Sequence, residues 1–180
     1  MSTTAQTPAP EFAIAYRNLM LDGLSNEMQT TKKVLAAVLD SNRDYRPDPK
    51  SRTAWEVAWH LASSDVQMTE EIADMKFTME PRFKDQPQTA AALAAWYETN
   101  MRRAIDRVRA MSADQLLTPV DFYGAFNWPV IFYLAFVNNH SIHHRGQLAA
   151  YLRPMGSKVP SIYGGSADEP WQAESETTAA

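Results

Sequence analysis

The sequence predicts an all-α protein built as a four-helix bundle. Three observations predict it. Most of the eleven prolines fall between segments of helix length, and apolar residues inside these segments recur at steps of three and four. No stretch alternates polar and apolar residues for long enough to predict a strand. Amphipathic helices bury their apolar faces against one another, so four of them imply a bundle.

The first two helices are predicted from an apolar stripe and a capping motif. In the second helix, the Thr53 hydroxyl can accept from the amide three residues on, while Glu56 can reach back to the Thr53 amide. We expect this helix to run to about Phe77. The first helix carries a stripe at steps of three and four, formed by Leu24, Met28, Thr31, Leu35 and Val38.

The third and fourth helices frame a long connection. The fourth begins near Pro129, since proline is favoured in a first turn, and runs to about Leu152. The connection from Ser112 to Trp128 is longer than a bundle needs, so it either covers a site or contains a short extra helix. The third helix begins near Thr89, and its apolar face contains Leu93, Trp96, Tyr97, Met101, Ala104 and Val108.

One domain accounts for nearly all of the 180 residues, a length typical of a single core. We expect a flexible N-terminus over residues 1–11, the four-helix domain over residues 12–172 and a disordered tail over residues 173–180. The first residues have neither positive charge nor an apolar stretch, so no signal peptide is predicted. The longest apolar run, residues 128–137, is far shorter than the ~20 residues that span a bilayer. The sequence therefore predicts a cytoplasmic protein with no membrane partner.

Charge and composition exclude several functional classes. The net charge of −4 argues against a nucleic-acid partner. The absence of cysteine excludes disulfides, a cysteine nucleophile and thiolate-held zinc or iron–sulfur sites. Neither a nucleophile elbow nor a phosphate loop is present. A di-iron carboxylate site needs Glu-x-x-His on two helices, whereas the interval from Glu56 to His60 is one residue too long and occurs once.

Histidine is the residue type that points to chemistry. His140, His143 and His144 lie within five residues of the fourth helix. His140 and His144 are about 40° apart on the helical wheel and share the core-facing stripe, with His143 at its margin. Imidazoles four residues apart on a helix can bind one ion. His60 lies in the middle of the second helix, on a polar strip that also contains Glu56, Ser64, Gln67 and Glu71.

Packing of the second helix on the fourth would bring His60, His140 and His144 together. Three imidazole ligands leave coordination positions open for water or substrate, as in catalytic sites. Such ligands suit zinc, nickel, iron(II) or copper. The residues alone leave two interpretations open, a metal site and a hydrogen-bonded histidine core.

Two segments carry a resemblance to a known family. Residues 45–62, YRPDPKSRTAWEVAWHLA, and residues 140–153, HSIHHRGQLAAYLR, resemble the DinB-like family of metalloenzymes. The likeness continues through KVPSIYGGSADE at residues 158–169 and covers most of the chain from about Leu24 onward. The resemblance implies a four-helix bundle in up-down-down-up order, often dimeric, with a metal held by His60, His140 and His144. His143 would lie outside the ligand set.

The resemblance also implies a reaction. Family members of known activity resemble thiol S-transferases and isomerases that use low-molecular-weight thiols. A divalent metal, zinc or nickel in the first place and iron or manganese as alternatives, would bind the thiol and favour its thiolate. The partners would be a small-molecule thiol and an electrophilic substrate. Glu56 and Glu71 are candidate proton acceptors, or hydrogen-bond partners of the ligand imidazoles.

Two other functions stay open at this point. The first is a non-catalytic, stress-related helical bundle whose histidines hold a structural metal or form a polar core. The second is metal-assisted hydrolysis, which needs a bound hydroxide and no thiol.

The fourth helix has a second apolar face opposite its histidines, formed by Ile131, Ala135, Ile142 and Ala149. Two apolar faces need two partners. We expect a homodimer to cover this face, with the C-terminal segment from Met155 to Trp171 as the alternative cover.

Overall fold

Four long helices dominate the computed structural model, which describes residues 8–171. The all-α fold class is confirmed. The predicted tail at 173–180 and residues 1–7 of the predicted N-terminal segment lie outside the described residues. No helix within residues 8–171 is both long and apolar enough to cross a bilayer. The elements in chain order are α1 (Pro10–Ala36), α2 (Ala54–Asp74), α3 (Ala90–Arg109), α4 (Ala113–Leu117), β1 (Pro119–Phe122), β2 (Phe126–Pro129) and α5 (Tyr133–Leu152).

Each long helix packs against two others. α1 and α2 each contact both α3 and α5, so α1 lies diagonally across the bundle from α2. Arg17, near the start of α1, donates to the carbonyl of Met111 beyond the end of α3, at 2.7 Å, so these two helices run in opposite directions. Phe77 beyond the end of α2 packs on Tyr133 at the start of α5, with ring centroids 4.8 Å apart. α2 and α5 are therefore also antiparallel.

The two ends of α2 follow different rules. At its start the predicted capping box is present: the Thr53 hydroxyl accepts from the Glu56 amide at 3.1 Å, and the Glu56 carboxylate accepts from the Thr53 amide at 2.7 Å. At its end the helix stops at Asp74, earlier than the predicted Phe77, because Met75 adopts a left-handed conformation with φ 55°. Its amide then satisfies carbonyls of the last turn.

The connection before α5 contains both a short helix and a β-hairpin. The expectation that the chain has no strand was wrong here, since β1 pairs antiparallel with β2 and Phe122 lies opposite Phe126. The turn between them contains Tyr123 and Gly124, both with positive φ (56° and 75°). The Tyr133 hydroxyl accepts from the Trp128 amide and donates to the Val120 carbonyl, at 3.1 and 2.8 Å. These bonds fix the hairpin on α5, which starts at Tyr133, after a 3₁₀ turn, instead of near Pro129.

The second apolar face of α5 is only partly open in the single chain. Ile131 is fully buried, and Ala135, Ile142 and Ala149 are partly buried. Behind α5 the C-terminal segment lies against α1, where the Ser157 hydroxyl donates to the Ala37 carbonyl. The homodimer stays a prediction.

Candidate metal centre

Three of the four histidines meet between α2 and α5. The Nε2 atom of His60 lies 3.2 Å from that of His144 and 3.4 Å from that of His140. One ring nitrogen from each of the three lies within 4.8 Å of the other two, a spacing at which all three can reach one metal ion. The antiparallel packing of α2 on α5 produces this convergence, because it places the middle of each helix opposite the other.

The opposite nitrogen of each ring has its own hydrogen-bond partner. His140 Nδ1 donates to the Asp65 carboxylate at 2.8 Å, and His144 Nδ1 donates to the Gln147 side-chain oxygen at 3.0 Å. His60 Nδ1 lies 3.2 Å from the Ser64 hydroxyl. A proton held on Nδ1 leaves the Nε2 lone pair free, which is how hydrogen bonds behind a metal site select the ligating tautomer.

Asp65 is the most deeply buried of these partners, with no exposed surface. It also accepts from the Tyr97 hydroxyl of α3 at 3.3 Å. Burial, reinforced by the negative charge of Asp65, holds the pKa of Tyr97 well above its ordinary value, so the phenol keeps its proton and stays a donor. A buried carboxylate is costly unless it is hydrogen-bonded. Asp65 meets that condition while orienting His140.

Two of the three imidazoles, those of His60 and His144, are favoured in the neutral form that binds metals. Burial lowers the pKa of His60 to about 4, with further lowering by the positive charge of Arg52 and by the two neighbouring rings. Burial also lowers the pKa of His144, against an opposing effect of the Gln147 hydrogen bond. Imidazole nitrogen donors with hydrogen-bonded tautomers fit a divalent metal ion.

The histidines line an open cavity of about 650 Å³. Its polar side contains hydroxyl and amide groups from α2. Its apolar side combines residues of the segment after α2, of the hairpin and of α5. The long connection before α5 therefore contributes side chains to the site, in addition to containing the short helix α4. The apolar wall is formed by Met68, Met79, Phe83, Phe122 and Phe136.

The sequence model of the DinB superfamily matches residues 24–148 of the chain, a span that includes all three converging histidines. The chain belongs to the DinB superfamily.

Relatives of this DinB superfamily protein come from Bacillus. An uncharacterized protein of Bacillus subtilis, YrdA, is 26% identical over 144 residues, which cover 79% of this chain and 85% of YrdA. The crystal structure of a DinB-like protein from Bacillus cereus has a TM-score of 0.68 at 26% identity and covers 80% of this chain and 95% of its own. A second DinB-like structure, YjoA of B. subtilis, also has a TM-score of 0.68, at 18% identity over 80% of this chain and 97% of its own, and supports the fold alone.

The two acidic candidates of this DinB superfamily chain lie outside the histidine group. Glu56 is exposed and engaged in the capping box, where the bonds from Thr53 lower its pKa. Glu71 is buried, and its carboxylate accepts from the Tyr123 hydroxyl at 3.3 Å and from the Gln67 side chain at 3.0 Å. Burial raises the pKa of Glu71. Tyr123 and Gln67 both line the cavity, so Glu71 is connected to the cavity by its hydrogen bonds with these two side chains.

Sequence reasoning missed Asp65 and Arg52, and it placed His143 correctly outside the cluster. His143 is exposed, with its ring 4.8 Å from that of His144. Arg52 lines the cavity from the residue before the Thr53 cap. A signal for Asp65 exists in the sequence, since an acidic residue between the apolar positions Leu61 and Val66 predicts a buried charge with a dedicated partner.

Proposed function

We propose that this DinB superfamily protein is a metal-dependent enzyme that transfers a low-molecular-weight thiol to an electrophilic small molecule. One observation carries the proposal: the imidazoles of His60, His140 and His144 converge on the wall of a cavity of about 650 Å³. Three protein ligands beside open space are typical of catalytic metal sites, whereas structural sites are closed by a fourth ligand. The open space therefore favours an enzyme over a bundle with a structural metal.

The three histidines would hold the ion through Nε2, while Asp65 and Gln147 keep their rings in the ligating tautomer. A divalent ion bound there would act as a Lewis acid that lowers the pKa of a thiol and favours its thiolate. The apolar wall of the cavity would pack against the apolar parts of a bound thiol and electrophile.

Of the two acidic candidates, Glu71 fits the role of proton acceptor better. Burial raises its pKa toward the range in which a carboxylate accepts protons efficiently. When the thiol S–H bond breaks, the proton would pass to the Tyr123 oxygen while the Tyr123 hydroxyl proton passes to Glu71 along their 3.3 Å hydrogen bond. Glu56 is already occupied by the Thr53 amide.

Elemental analysis tests the proposal. The protein is purified without added metal or chelator, beside His144→Ala and a matched control, His143→Ala, which removes the exposed neighbouring imidazole. We expect about one metal per chain in the parent and in the control, and loss of metal in His144→Ala. The metal-loaded protein should then accelerate the reaction of thiols with monobromobimane, which becomes fluorescent when a thiol displaces its bromide, above the rate measured without protein.

Each negative result has its own meaning. A parent that is empty and stays empty after addition of zinc or nickel would overturn the metal site. Bound metal without thiol transfer, and without water exchange at the metal, would instead support the structural bundle. Thiol-independent hydrolysis would support the hydroxide mechanism.

The proposal includes a cytoplasmic homodimer. The observation that supports it is the partly open face of α5, where Ala135, Ile142 and Ala149 retain some exposure in the single chain. Light scattering after size-exclusion chromatography distinguishes a dimer from a monomer.

A further inference from the structure

We propose that the small molecule bound in this cavity is amphipathic, with a carboxylate or similar anionic group that pairs with Arg52 and an apolar body that packs on the aromatic wall. The inference deepens the proposed function, since it concerns the ligand of the same cavity.

Charge is the first observation. Among the described residues that line the cavity, Arg52 is the only lysine, arginine, aspartate or glutamate, and the other side chains are imidazoles, hydroxyls, amides, thioethers, proline and aromatic rings. The whole chain, in contrast, carries a net charge of −4. A single cation in a cleft with apolar walls concentrates its field on the ligand that enters. Arg52 therefore offers an anionic group of the ligand a partner with which it can pair.

Arg52 is also free to bind a ligand. Within residues 8–171 its guanidinium forms no hydrogen bond or ion pair, and it is exposed. By contrast, Arg103 and Arg107 are paired with the buried carboxylate of Glu70. The nearby Glu56 carboxylate is held by the Thr53 amide.

The order of groups along the cavity gives the ligand its shape. α2 and α5 run antiparallel, so the cavity passes from Arg52, before the start of α2, to His60 and His144, and then to the end lined by Met68 and Phe136. The histidines therefore lie between the cation and the apolar wall. A ligand that spans both would present its middle to the candidate metal centre.

The apolar end is unusually open to water. Met79 is 80% exposed and Phe136 is 41% exposed, and both line the cavity. Large apolar side chains left in water favour an apolar ligand, because covering them gains about 25 cal/mol per Å² of buried apolar area. Aromatic side chains from three parts of the chain meet here, and the rings of Phe122 and Phe136 are 5.1 Å apart.

Calorimetric titration with matched probes tests the inference. The probes are 4-phenylbutanoate and its uncharged amide, 4-phenylbutanamide, titrated into the parent, Arg52→Gln and the control Arg46→Gln. Arg46 is exposed, does not line the cavity and loses the same charge on substitution. We expect Arg52→Gln to weaken binding of the acid about tenfold, the usual effect of losing one charged hydrogen-bond partner. Binding of the amide should stay within about twofold, and Arg46→Gln should leave both probes unchanged.

Two further results decide the matter. The inference is overturned if the parent does not bind the acid more tightly than the amide, or if the two arginine variants weaken the acid equally. Repeating the titrations on chelator-treated protein, with metal content measured on every sample, separates this inference from the metal proposal. A preference for the acid that depends on Arg52 in metal-free protein supports the inference even if the metal site fails. Absence of that dependence in both the metal-free and the metal-loaded protein overturns the inference alone.

Discussion

Asp65→Asn is the substitution that tests how the buried core controls the candidate metal centre. Asp65 contacts no solvent, and its carboxylate accepts from His140 Nδ1 at 2.8 Å. Asparagine has nearly the same shape and can still accept this bond through its side-chain oxygen, but it removes the negative charge behind the imidazole. The substitution therefore tests the negative charge of Asp65 while keeping the shape of the side chain and its hydrogen bond to His140.

The expected loss of zinc affinity follows from the weakening of one hydrogen bond to a charged, fully buried carboxylate. Hydrogen bonds to charged groups contribute about 1.5–3 kcal/mol, and substitutions behind metal-ligating histidines typically weaken metal binding about 10- to 100-fold. Because asparagine keeps an acceptor, we expect the lower end, about tenfold weaker zinc binding, equivalent to about 1.4 kcal/mol. Tyr97→Phe is the matched control, since it removes the other donor to Asp65 and leaves the His140 bond in place.

Competition against a chromophoric chelator gives the zinc affinity of the parent, Asp65→Asn and Tyr97→Phe. Thermal unfolding of each metal-free protein checks that the fold is retained. We expect Tyr97→Phe to stay within about threefold of the parent. A folded Asp65→Asn protein with parental zinc affinity would refute the reasoning, because it would show that the carboxylate does not act on the ligand.

Three further predictions concern stability, measured by urea unfolding. Thr53→Ala should lower the free energy of unfolding by about 1 kcal/mol, because it removes the hydroxyl that caps α2. Arg145→Met should lower it by about 3 kcal/mol, because Arg145 is 1% exposed and its loss leaves the Glu27 carboxylate, 2.5 Å away, without its cation. Glu71→Gln should become more stable relative to the parent as pH rises above 4.5. Burial raises the pKa of Glu71 above this ordinary value, so ionisation of Glu71 costs the folded parent more free energy than it costs the unfolded chain.

Each of these predictions has a control that keeps part of the chemistry. Thr53→Ser retains the capping hydroxyl and should stay close to the parent, so an equal loss in both variants would contradict the capping argument. Glu27→Gln keeps an acceptor for Arg145 and should cost less than Arg145→Met. For Glu71→Gln, a stability difference from the parent that is the same at about pH 4.5 and about pH 7 would show that the carboxylate does not titrate differently in the folded protein.

The sequence predicted the parts of the fold that depend on neighbouring residues. The capping box at Thr53 involves groups three residues apart, so its motif is readable in isolation. The end of α2 was not readable, because Met75 takes the left-handed conformation that glycine usually marks. The hairpin was missed for a related reason. Its strands have four residues each, too few to show a period of two, and side-chain bonds to Tyr133 at the start of α5 hold it.

The candidate site likewise has parts that a single helix predicts and a part that depends on contact between helices. His140 and His144 share a helix face by periodicity, and the polar strip around His60 marked the facing helix. Asp65 lies about 140° from His60 on the helical wheel of α2, away from that strip. It meets His140 only because α5 packs alongside, so its role depends on a contact between residues 75 positions apart. A single helical wheel does not contain that information.

Packed helices supply the histidines of the cavity, whereas connecting segments supply much of its apolar wall. The histidines and the groups that orient them all come from α2 and α5, whose packing on the core fixes the side chains. Much of the apolar wall comes instead from the segment after α2 and from the hairpin, which supply Met79, Phe83 and Phe122. Connecting segments tolerate substitution better than packed helices do. We therefore expect exchange of residues 78–83 or of the hairpin to change which ligand binds while leaving the histidine cluster intact.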